Sequence, residues 1–449
     1  HVGTAGVREI AQRTPVDTGT VFRIASMTKS FTALAILKLR DEGRLSLDDP
    51  AERYVPELAN LQYPTTDSPR LTIRHLLSHA TGFPEDNPWG DRQLDATDEE
   101  MSRMMRSGIP FSNPPGIAYE YSNYGFAILG QVVQRVSGTS YADYVTANIL
   151  RPLGMTSTTL EPASVPADRI AHGYRWEDDQ WKEEPPLPHG AFGAMGGMLT
   201  SLTDLGRYVG FLMGAFPPRD DPETGPVRRA SVREMQQLWR SRPATVNRTP
   251  NGMIQLNAGG YGYGLRIGQS CAFDHIVAHT GGLPGFGSIM QWLPEHGVAF
   301  IAMGNLTYTP WTGVANAVFD ALARTGGLEP REPVPSPALV AMRDAVSRLL
   351  NDWDDVLADS IAAENLFLDY EKERRRSSLE RIRAQTGPCQ PEGPFVAENT
   401  LRGEWSMRCQ RGAVRVAITL APVIPPTVQY LRVERLDQFE PPERRRRCQ

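Results

Sequence analysis

The stretch SMTKSFTALAILKLRDEG, residues 26–43, decides how the first part of this chain folds. Ser26 is a residue type that caps helix N-termini, and Gly43 is typical of the position just after a helix C-terminus. The apolar residues between them are spread around every side of the helix, which is the pattern of a helix buried in a core. The stretch therefore predicts a buried helix over residues 26–42, with Ser26 at its N-terminal tip.

Ser26 and Lys29 lie three positions apart, so a helix places them on one face, one turn apart. The N–H of Ser26 has no partner within the helix, and the helix dipole favours negative charge there, so this N–H can hold an oxyanion. Apolar neighbours lower the pKa of Lys29 from a reference of about 10.4 by desolvation, and a neutral lysine can accept the serine proton. The alternative is that Ser26 is only a helix cap and Lys29 a surface residue.

The tripeptide YSN at 121–123 lies on a loop that leads into a predicted helix over 125–137. A neighbouring ammonium favours the ionised form of a phenol, so Tyr121 can act as a base and later as an acid. The Asn123 amide suits either a substrate carbonyl or the Lys29 amine. Alternatively, the tripeptide only caps the helix and Tyr121 is a buried aromatic residue.

The sequence HTGG at 279–282 ends a predicted strand. Its two glycines remove side chains where the backbone of a ligand must lie close. The N–H of Gly282 can be a second oxyanion donor opposite Ser26, while His279 and Thr280 can hold a substrate carboxylate or carbonyl. The alternative is a hairpin turn with a core histidine.

The chain has 449 residues, enough for two or three domains. Residues 1–325 are predicted to form the first domain, and 326–336 (GGLEPREPVPS) to form a linker. Residues 337–449 are predicted to be an accessory α+β domain, because a long helical stretch over 337–385 precedes strand-like alternation at 394–436.

Within the first domain, LTIRHLLSHATG at 71–82 predicts a short helix and a turn. Later patterns favour an antiparallel sheet. The predicted strands are 261–267, 275–278, 288–293 and 298–303, with a turn at 294–297. Three segments rich in proline, glycine and charge are interpreted as surface loops. They are 177–190, 215–230 and 241–260.

The composition is that of a globular protein, with 40% hydrophobic and 22% charged residues. A net charge of −5 gives no general attraction to nucleic acid or anionic membranes, and no apolar run is long enough to predict a membrane span. The sequence carries no signal peptide and begins with His1 rather than Met. We nevertheless expect a periplasmic or secreted location, with the cytoplasm as the alternative.

Four cysteines are present, Cys271, Cys389, Cys409 and Cys448, and their spacing fits no compact metal site. Four cysteines allow three complete pairings, and the sequence does not choose among them. Cys389 and Cys409 both lie in the last segment and can form a disulfide. The alternative is two free thiols in a reducing compartment.

The three motifs, in this order, resemble the serine β-lactamase and penicillin-binding-protein superfamily. Tyrosine in the second motif and histidine in the third are similar to the class C-like branch, with its D-alanyl-D-alanine carboxypeptidases, D-aminopeptidases and esterases. The flanking stretches that match are FRIA at 22–25, LTIRHLLSHATG at 71–82, RPLGM at 151–155 and GAMGGMLTSLTDLGRYV at 193–209. The resemblance extends over about residues 3–325.

This resemblance implies an α/β (α+β) fold, with an antiparallel sheet flanked by helices, a mostly helical subdomain and the site in the groove between them. It implies that Ser26 is the acylated nucleophile, that Lys29 and Tyr121 share proton transfer, and that Asn123 binds the substrate amide. Which of Lys29 and Tyr121 is the main base is left open. The other implied site residues are Thr280 and Gly281, lining the groove, and the N–H groups of Ser26 and Gly282, forming the oxyanion hole.

The sequence departs from the family in two respects, and one is that residues 337–449 are not part of the basic catalytic fold; the other concerns the N-terminal region. Members usually carry a helix and a strand or two before the region of residues 7–9, whereas only about 20 residues precede Phe22 here. Part of the sheet is then missing, trimmed or supplied otherwise.

The implied activity is hydrolysis through an acyl-enzyme, with D-amino-acid peptides or small esters as substrates and with no cofactor. A β-lactamase that hydrolyses β-lactam amides is the first alternative. A non-catalytic binding or scaffold protein on the same fold is the second, and intact Ser26, Lys29 and Tyr121 argue against it. A metallohydrolase is the third, because His75 and His79 have a spacing that can bind metal, but no Glu lies between them as in zinc proteases. The oligomeric state is left open.

Overall fold

The structure is a computed structural model that describes residues 1–248, 254–331 and 333–442. Cys448 and the basic run 444–447, which from sequence is interpreted as a solvated tail, lie outside the described residues.

The chain divides into two compact units, His1–Pro330 and Arg331–Gln449, and the boundary falls within 326–336. The helices of the first unit are α1 (Thr28–Asp41), α2 (Ile73–Leu77), α3 (Asn87–Gly90), α4 (Asp98–Arg106), α5 (Asn123–Ser137), α6 (Tyr141–Val145), α7 (Gly193–Gly196), α8 (Leu202–Met213), α9 (Arg229–Met235) and α10 (Thr312–Arg324). Its strands are β1 (Val7–Glu9), β2 (Thr14–Pro15), β3 (Val21–Arg23), β4 (Tyr174–Glu177), β5 (Gln180–Glu183), β6 (Leu199–Ser201), β7 (Arg240–Arg248), β8 (Ile254–Tyr261), β9 (Arg266–Gln269), β10 (Ile276–Leu283), β11 (Phe286–Leu293) and β12 (Val298–Gly304). Across the described ranges, no helix has both the length and the apolar character that a bilayer crossing requires.

Helix α1 belongs to the core of the first unit, and most of its side chains are buried. It begins at Thr28 rather than at Ser26, because a 3₁₀ turn over Ala25–Met27 precedes it. Gly43 follows the helix with a φ of +73°, a left-handed conformation that glycine adopts without strain and that ends helices. The predicted buried helix is confirmed, and Ser26 lies in the turn just before it.

Helix α5 begins just after Ser122, whose Oγ accepts the N–H of Gly125 at 3.1 Å. It ends at Gly138, which has a φ of +79°. The helix predicted for 125–137 is therefore confirmed. The short helix and turn predicted for 71–82 are also present, as α2 and the residues after it.

The main sheet is antiparallel and has the strand order β12-β11-β10-β9-β8-β7. Its strands all come from the segment Arg240–Gly304, while β1 and β2 pair with each other in a separate ribbon. None of the strands described before Arg240 joins this sheet. The strands predicted at 275–278, 288–293 and 298–303 are confirmed as β10, β11 and β12.

The single strand predicted for 261–267 is wrong. Tyr261 ends β8 and Arg266 begins β9, and the chain turns between them at Gly264, which has a φ of +67°. The alternation of apolar residues in this segment comes from two strand ends that face the same core.

Two segments interpreted as surface loops contain hairpins. Strands β4 and β5 join through Asp178 and Asp179, both with positive φ, as two-residue hairpin turns require. Strands β7 and β8 pair within the segment 241–260, of which 249–253 lie outside the described residues. Many of their side chains are exposed, so the apolar–polar alternation that reveals a half-buried strand is missing. The third segment, 215–230, has no helix or strand before α9.

Among its described residues, the second unit contains four helices where the sequence predicts one long stretch. They are α11 (Pro337–Asn351), α12 (Asp355–Ile361), α13 (Glu364–Asp369) and α14 (Lys372–Thr386). Asp354 caps the N-terminus of α12, because its side chain accepts the N–H of Val356 at 2.8 Å. An antiparallel sheet follows, ordered β13 (Cys389–Asn399), β14 (Arg402–Cys409), β15 (Ala413–Leu420) and β16 (Val428–Leu436). Cys389 and Cys409 lie opposite each other on β13 and β14 and form a disulfide.

Candidate active site

The 3₁₀ turn that carries Ser26 is held by the strands around it. The Oγ of Ser288 donates to the carbonyl oxygen of Ile24 at 3.1 Å, and the Ile24 N–H donates to the carbonyl oxygen of Met198 at 3.0 Å. Ala25 has a φ of +47°, a strained value that persists only where the surrounding structure enforces it. Ser26 itself is 8% exposed. The turn therefore holds the Ser26 hydroxyl at the N-terminal side of α1.

Lys29 is fully buried, and its amine contacts three oxygen atoms. The Nζ lies 3.1 Å from the Oγ of Ser26, 2.6 Å from the Oδ1 of Asn123 and 2.8 Å from the carbonyl oxygen of Met195. The last two atoms only accept hydrogen bonds, so a neutral amine can give them its two N–H groups and keep its lone pair for the Ser26 hydroxyl. The alternative that Lys29 is a surface residue is wrong.

The pKa of Lys29 is lowered to about 7, chiefly because burial removes the hydration of the charged form. The charge of Arg266 lowers it further, while Asp91 and Asp86 raise it. A substantial fraction of the amine is therefore neutral at neutral pH. Lys29 can therefore accept a proton from Ser26 at neutral pH, and high pH is not needed to deprotonate the amine first.

Asp86 and Asp91 were missed by the sequence reasoning. Asp86 accepts the N–H groups of Asn123 at 2.7 Å and of Tyr124 at 2.8 Å, so it stabilises the start of α5. Asp91 accepts the hydroxyl of Tyr308 at 2.7 Å. Burial raises the pKa of both carboxyl groups. No local pattern marks these residues, because their partners are as far as 217 positions away in the chain.

Tyr121 is buried beside Lys29, whose Nζ lies 4.9 Å from the centre of the phenol ring. Burial raises the pKa of Tyr121 well above its ordinary range, and a hydrogen bond with the Ser26 side chain offsets this only in part. This shift is opposite to the ionised phenol expected from the sequence, because desolvation raises the pKa of Tyr121 more than the charge of Arg266 lowers it. Tyr121 is a neutral hydroxyl next to Ser26, which makes it suited to donate a proton.

Asn123 is fully buried at the first position of α5. Its Oδ1 accepts from Lys29, and its Nδ2 donates to the Oδ1 of Asn87 at 3.1 Å. A Cβ at Gly90 would lie 2.7 Å from the Cβ of Asn123, so that glycine allows the close packing. Of the two roles predicted for this amide, the structure shows it holding the lysine amine, and binding of a substrate amide stays a prediction.

His279 is fully buried, and both of its ring nitrogens have partners inside the protein. Its Nδ1 lies 2.7 Å from the carbonyl oxygen of Thr280, and its Nε2 lies 2.8 Å from the hydroxyl of Tyr261. Because a carbonyl only accepts, Nδ1 carries the proton and Nε2 accepts from Tyr261. Burial keeps the pKa of His279 well below its usual range, so the ring is neutral. Its burial fits the core-histidine alternative better than the predicted contact with substrate.

The two glycines of β10 are required by close packing. A Cβ at Gly281 would lie 2.0 Å from the carbonyl oxygen of Ile24, and one at Gly282 would lie 2.4 Å from the ring of Tyr308. Strand β10 can therefore approach the turn before Ser26 only because Gly281 has no side chain, while Gly282 leaves room for the ring of Tyr308. This close approach brings the HTGG motif next to the SMTK motif.

One edge of β10 is open beyond the end of β9. A two-residue turn joins β10 to β11, and the flanking residues Leu283 and Phe286 are directly paired. Such flanking residues exchange ladder hydrogen bonds, so alternation directs the N–H and C=O groups of Thr280 and Gly282 away from β11. On that side, β9 pairs only with Ile276–Ala278. The N–H groups of Thr280 and Gly282 are therefore placed to bind the backbone of a ligand, whereas the carbonyl oxygen of Thr280 already accepts from His279.

A groove of about 780 Å³ lies beside Tyr121. Ile117 and Tyr119 form an apolar wall, and the guanidinium of Arg242 lies 5.3 Å from the ring centre of Tyr119. Arg266 is exposed at the start of β9, and its charge acts on Tyr121. The groove beside Tyr121 is thus bordered by an apolar wall, by the Arg242 guanidinium and by the carboxylates of Glu85 and Glu120.

The two histidines considered for a metal site are occupied by backbone groups. The Nδ1 of His75 accepts the N–H of Thr72 at 3.3 Å, and the Nδ1 of His79 accepts the N–H of Ser122 at 3.1 Å. Each ring is thus oriented by a different backbone segment. Within the parts of the chain described, no three potential metal ligands are gathered into a cluster.

Comparison with known proteins agrees with this arrangement. The Beta-lactamase family model matches residues 1–325. Penicillin-binding protein 4* of Bacillus subtilis (strain 168) is 27% identical over 311 residues, which cover 67% of this chain. The match spans 64% of that relative's own length.

Two solved structures share the fold. The octameric penicillin-binding protein homologue from Pyrococcus abyssi has a TM-score of 0.58 and 24% identity, covering 93% of this chain and 83% of its own. A D-stereospecific amidohydrolase from Streptomyces sp. has a TM-score of 0.52 and 24% identity, covering 67% of this chain and 86% of its own. The chain belongs to the Beta-lactamase family, within the superfamily of serine β-lactamases and penicillin-binding proteins.

Proposed function

We propose that this protein is a serine hydrolase that forms an acyl-enzyme on Ser26 and acts on D-amino-acid peptides or small esters. One observation carries the proposal: the Nζ of Lys29, with a pKa lowered to about 7, lies 3.1 Å from the Ser26 hydroxyl. A serine alcohol is a weak nucleophile unless a neighbouring base removes its proton. The buried amine supplies that base.

In the proposed acylation step, the Ser26 Oγ forms a bond to the substrate carbonyl carbon as Lys29 takes the hydroxyl proton. The N–H groups of Ser26 and Gly282 stabilise the oxyanion of the tetrahedral intermediate. The bond to the leaving amine or alcohol then breaks with its electron pair, and the leaving atom receives a proton. The neutral phenol of Tyr121 is suited to deliver it and to regain one from the Lys29 ammonium. Water then hydrolyses the ester by the same groups in reverse.

The preference for peptides or esters over β-lactams rests on two supports. The third motif begins with His279 rather than lysine, which resembles the peptidase and esterase members of the superfamily. One structural neighbour is a D-stereospecific amidohydrolase, and the matched curated relative is a penicillin-binding protein. Hydrolysis of β-lactam amides is the second candidate, favoured by the same acylation chemistry.

The exposed Arg266 favours a substrate with a carboxylate near the scissile bond. Among the described residues, no ion pair involves its guanidinium, and its charge acts on Lys29, Tyr121 and His279. A charge-assisted hydrogen bond from an arginine to a carboxylate is stronger than one between neutral groups. A peptide that ends in a free D-amino acid would provide such a carboxylate.

The activity is tested by covalent labelling and by turnover. The protein and its Ser26→Ala variant are treated with a fluorophosphonate probe and with a fluorescent penicillin. They are then compared on p-nitrophenyl acetate, nitrocefin and a D-Ala-D-Ala peptide. We expect labelling and hydrolysis that require Ser26. Folded protein with neither would instead favour a non-catalytic binding or scaffold protein.

The Cys389–Cys409 disulfide supports a periplasmic or secreted location, because disulfides persist in oxidising compartments. Fractionation of the producing cells, followed by detection with an antibody, tests this location. Recovery of the protein only in the cytoplasm, with both thiols reduced, would contradict it.

A further inference from the structure

We propose that His79 is a positioning residue, which fixes the catalytic orientation of Tyr121 by binding the backbone on both sides of it. The catalytic consequence rests on the function proposed above. The contacts themselves do not depend on that function, so they can be tested separately.

His79 binds both neighbours of Tyr121. The carbonyl oxygen of His79 accepts the N–H of Glu120 at 2.9 Å, and its Nδ1 accepts the N–H of Ser122 at 3.1 Å. One residue thus anchors the two peptide units that flank the phenol. Tyr121 cannot rotate its backbone without breaking at least one of these bonds.

The ring of His79 also packs against the ring of Tyr121, the residue whose flanking peptide units it binds. Its centre lies 4.3 Å from that of Tyr121, 4.4 Å from that of Tyr261 and 5.0 Å from that of Phe126. The side chain is fully buried among these rings. The imidazole therefore limits both the position and the tilt of the phenol.

The conformation of His79 is costly, which argues for a specific role. Its φ is +53°, an uncommon value for a residue with a side chain. Because Nδ1 accepts a hydrogen bond, the ring proton lies on Nε2, and this buried atom has no hydrogen-bond partner in the described structure. A buried unsatisfied donor is unfavourable and calls for an explanation. Burial and the nearby Lys29 hold the pKa of His79 well below its usual range, so Nδ1 remains an acceptor.

The simpler role, in which His79 only ties down the turn at Gly82, does not account for these contacts. That turn has its own bonds: the carbonyl oxygen of Gly82 accepts the N–H of Ser112 at 2.8 Å, and the N–H of Phe83 donates to the Oγ1 of Thr81 at 3.0 Å. The imidazole of His79 takes no part in either. Its hydrogen bond goes to the YSN segment instead.

The test compares His79→Asn with His79→Gln. The Asn oxygen takes the place of Nδ1, and asparagine tolerates positive φ, whereas the Gln oxygen lies nearer to the place of Nε2. Amide hydrogen exchange of a peptide covering residues 117–124 reports the bond to Ser122 without reference to activity. We expect near-normal protection in His79→Asn and faster exchange in His79→Gln. Equal exchange in both variants would overturn the proposed contact.

Hydrolysis of p-nitrophenyl acetate supplies the catalytic readout, with Ser26→Ala as the blank. We expect His79→Asn to keep kcat/KM within about threefold and His79→Gln to lose about tenfold, the rate effect of one buried hydrogen bond. In a Tyr121→Phe background, the loss caused by His79→Gln should disappear, because coupled residues are not additive. A full additional tenfold loss in that background would refute positioning through Tyr121. If the wild type shows no turnover that depends on Ser26, the proposed function is refuted instead. The hydrogen-exchange experiment still decides whether His79 makes the proposed contact.

Discussion

The amine of Lys29 lies 2.6 Å from the side-chain oxygen of Asn123. This oxygen belongs to a neutral amide, so it orients the amine without adding a negative charge that would keep it protonated. Asp86 and Asp91, the acids that raise the pKa of Lys29, do so less than burial lowers it. That balance leaves the amine partly neutral at neutral pH, as the proposed role of Lys29 requires.

Asn123→Asp should move the acid limb of the pH–kcat/KM profile to higher pH. In the wild type, we expect activity to rise with pH through about 7, as Lys29 loses its proton. A carboxylate in contact with the amine favours the ammonium, so the limb should move up by about one to three pH units. Exposed Asn60 provides the control, since Asn60→Asp should leave the profile unchanged. If the acid limb of the profile does not move in Asn123→Asp, Lys29 is not the base.

Lys29→Met should abolish acylation while raising the free energy of unfolding at pH 7. The folded pKa of Lys29, about 7, lies below its unfolded value of about 10.4. Between these values the unfolded state binds more protons, so the stability of the wild type rises with pH across this window. Relative to Lys29→Met, the wild type should gain about 2 kcal/mol between pH 7 and pH 9.

Urea unfolding of both proteins at the two pH values measures this difference. The tyrosines of the core are present in both proteins, so their titration cancels. A constant difference between pH 7 and pH 9 would mean that the lysine pKa is not depressed.

Gly281→Ala should lower both stability and activity. Its Cβ would lie 2.0 Å from the carbonyl oxygen of Ile24 and 2.3 Å from the Oγ of Ser288, so β10 must move away from the turn before Ser26. We expect a loss of about 2 kcal/mol, within the range for overpacking, and a fall in kcat of at least tenfold. Gly268→Ala is the matched control on the adjacent strand, because its Cβ would meet an atom only at 3.8 Å. Thermal unfolding and p-nitrophenyl acetate turnover report the two effects, and similar behaviour of both variants would count against the close approach.

Arg266→Gln should reduce the preference for substrates with a free carboxylate. The measurement is the ratio of kcat/KM for a D-Ala-D-Ala peptide to that for its C-terminal amide. We expect the ratio to fall by about tenfold or more, since a hydrogen bond to a charged group is worth about 1.5–3 kcal/mol. Arg106→Gln, at the exposed end of α4, should leave the ratio unchanged. An unchanged ratio in Arg266→Gln would assign carboxylate recognition to another residue or to none.

Local pattern was enough to predict the elements that carry the site. The buried helix after Ser26, the cap at Ser122 and the strand that ends in HTGG each depend on residues adjacent in sequence. Periodicity and capping therefore reveal them. The exposed hairpin of β7 and β8 was missed because its strands bury too little to show an alternating pattern.

The sequence by itself determined which residue types are available and on which elements they lie: a serine and a lysine one turn apart, a phenol before a capped helix, and glycines on a strand. Only the tertiary structure decided their chemistry. Burial kept Tyr121 neutral and brought the pKa of Lys29 to about 7. The tertiary structure also buries His279 in the core and brings Asp86 and Asp91 near the amine of Lys29. These outcomes depend on desolvation and on charges a few ångströms away in space, and the residues responsible are tens to hundreds of positions away in the chain.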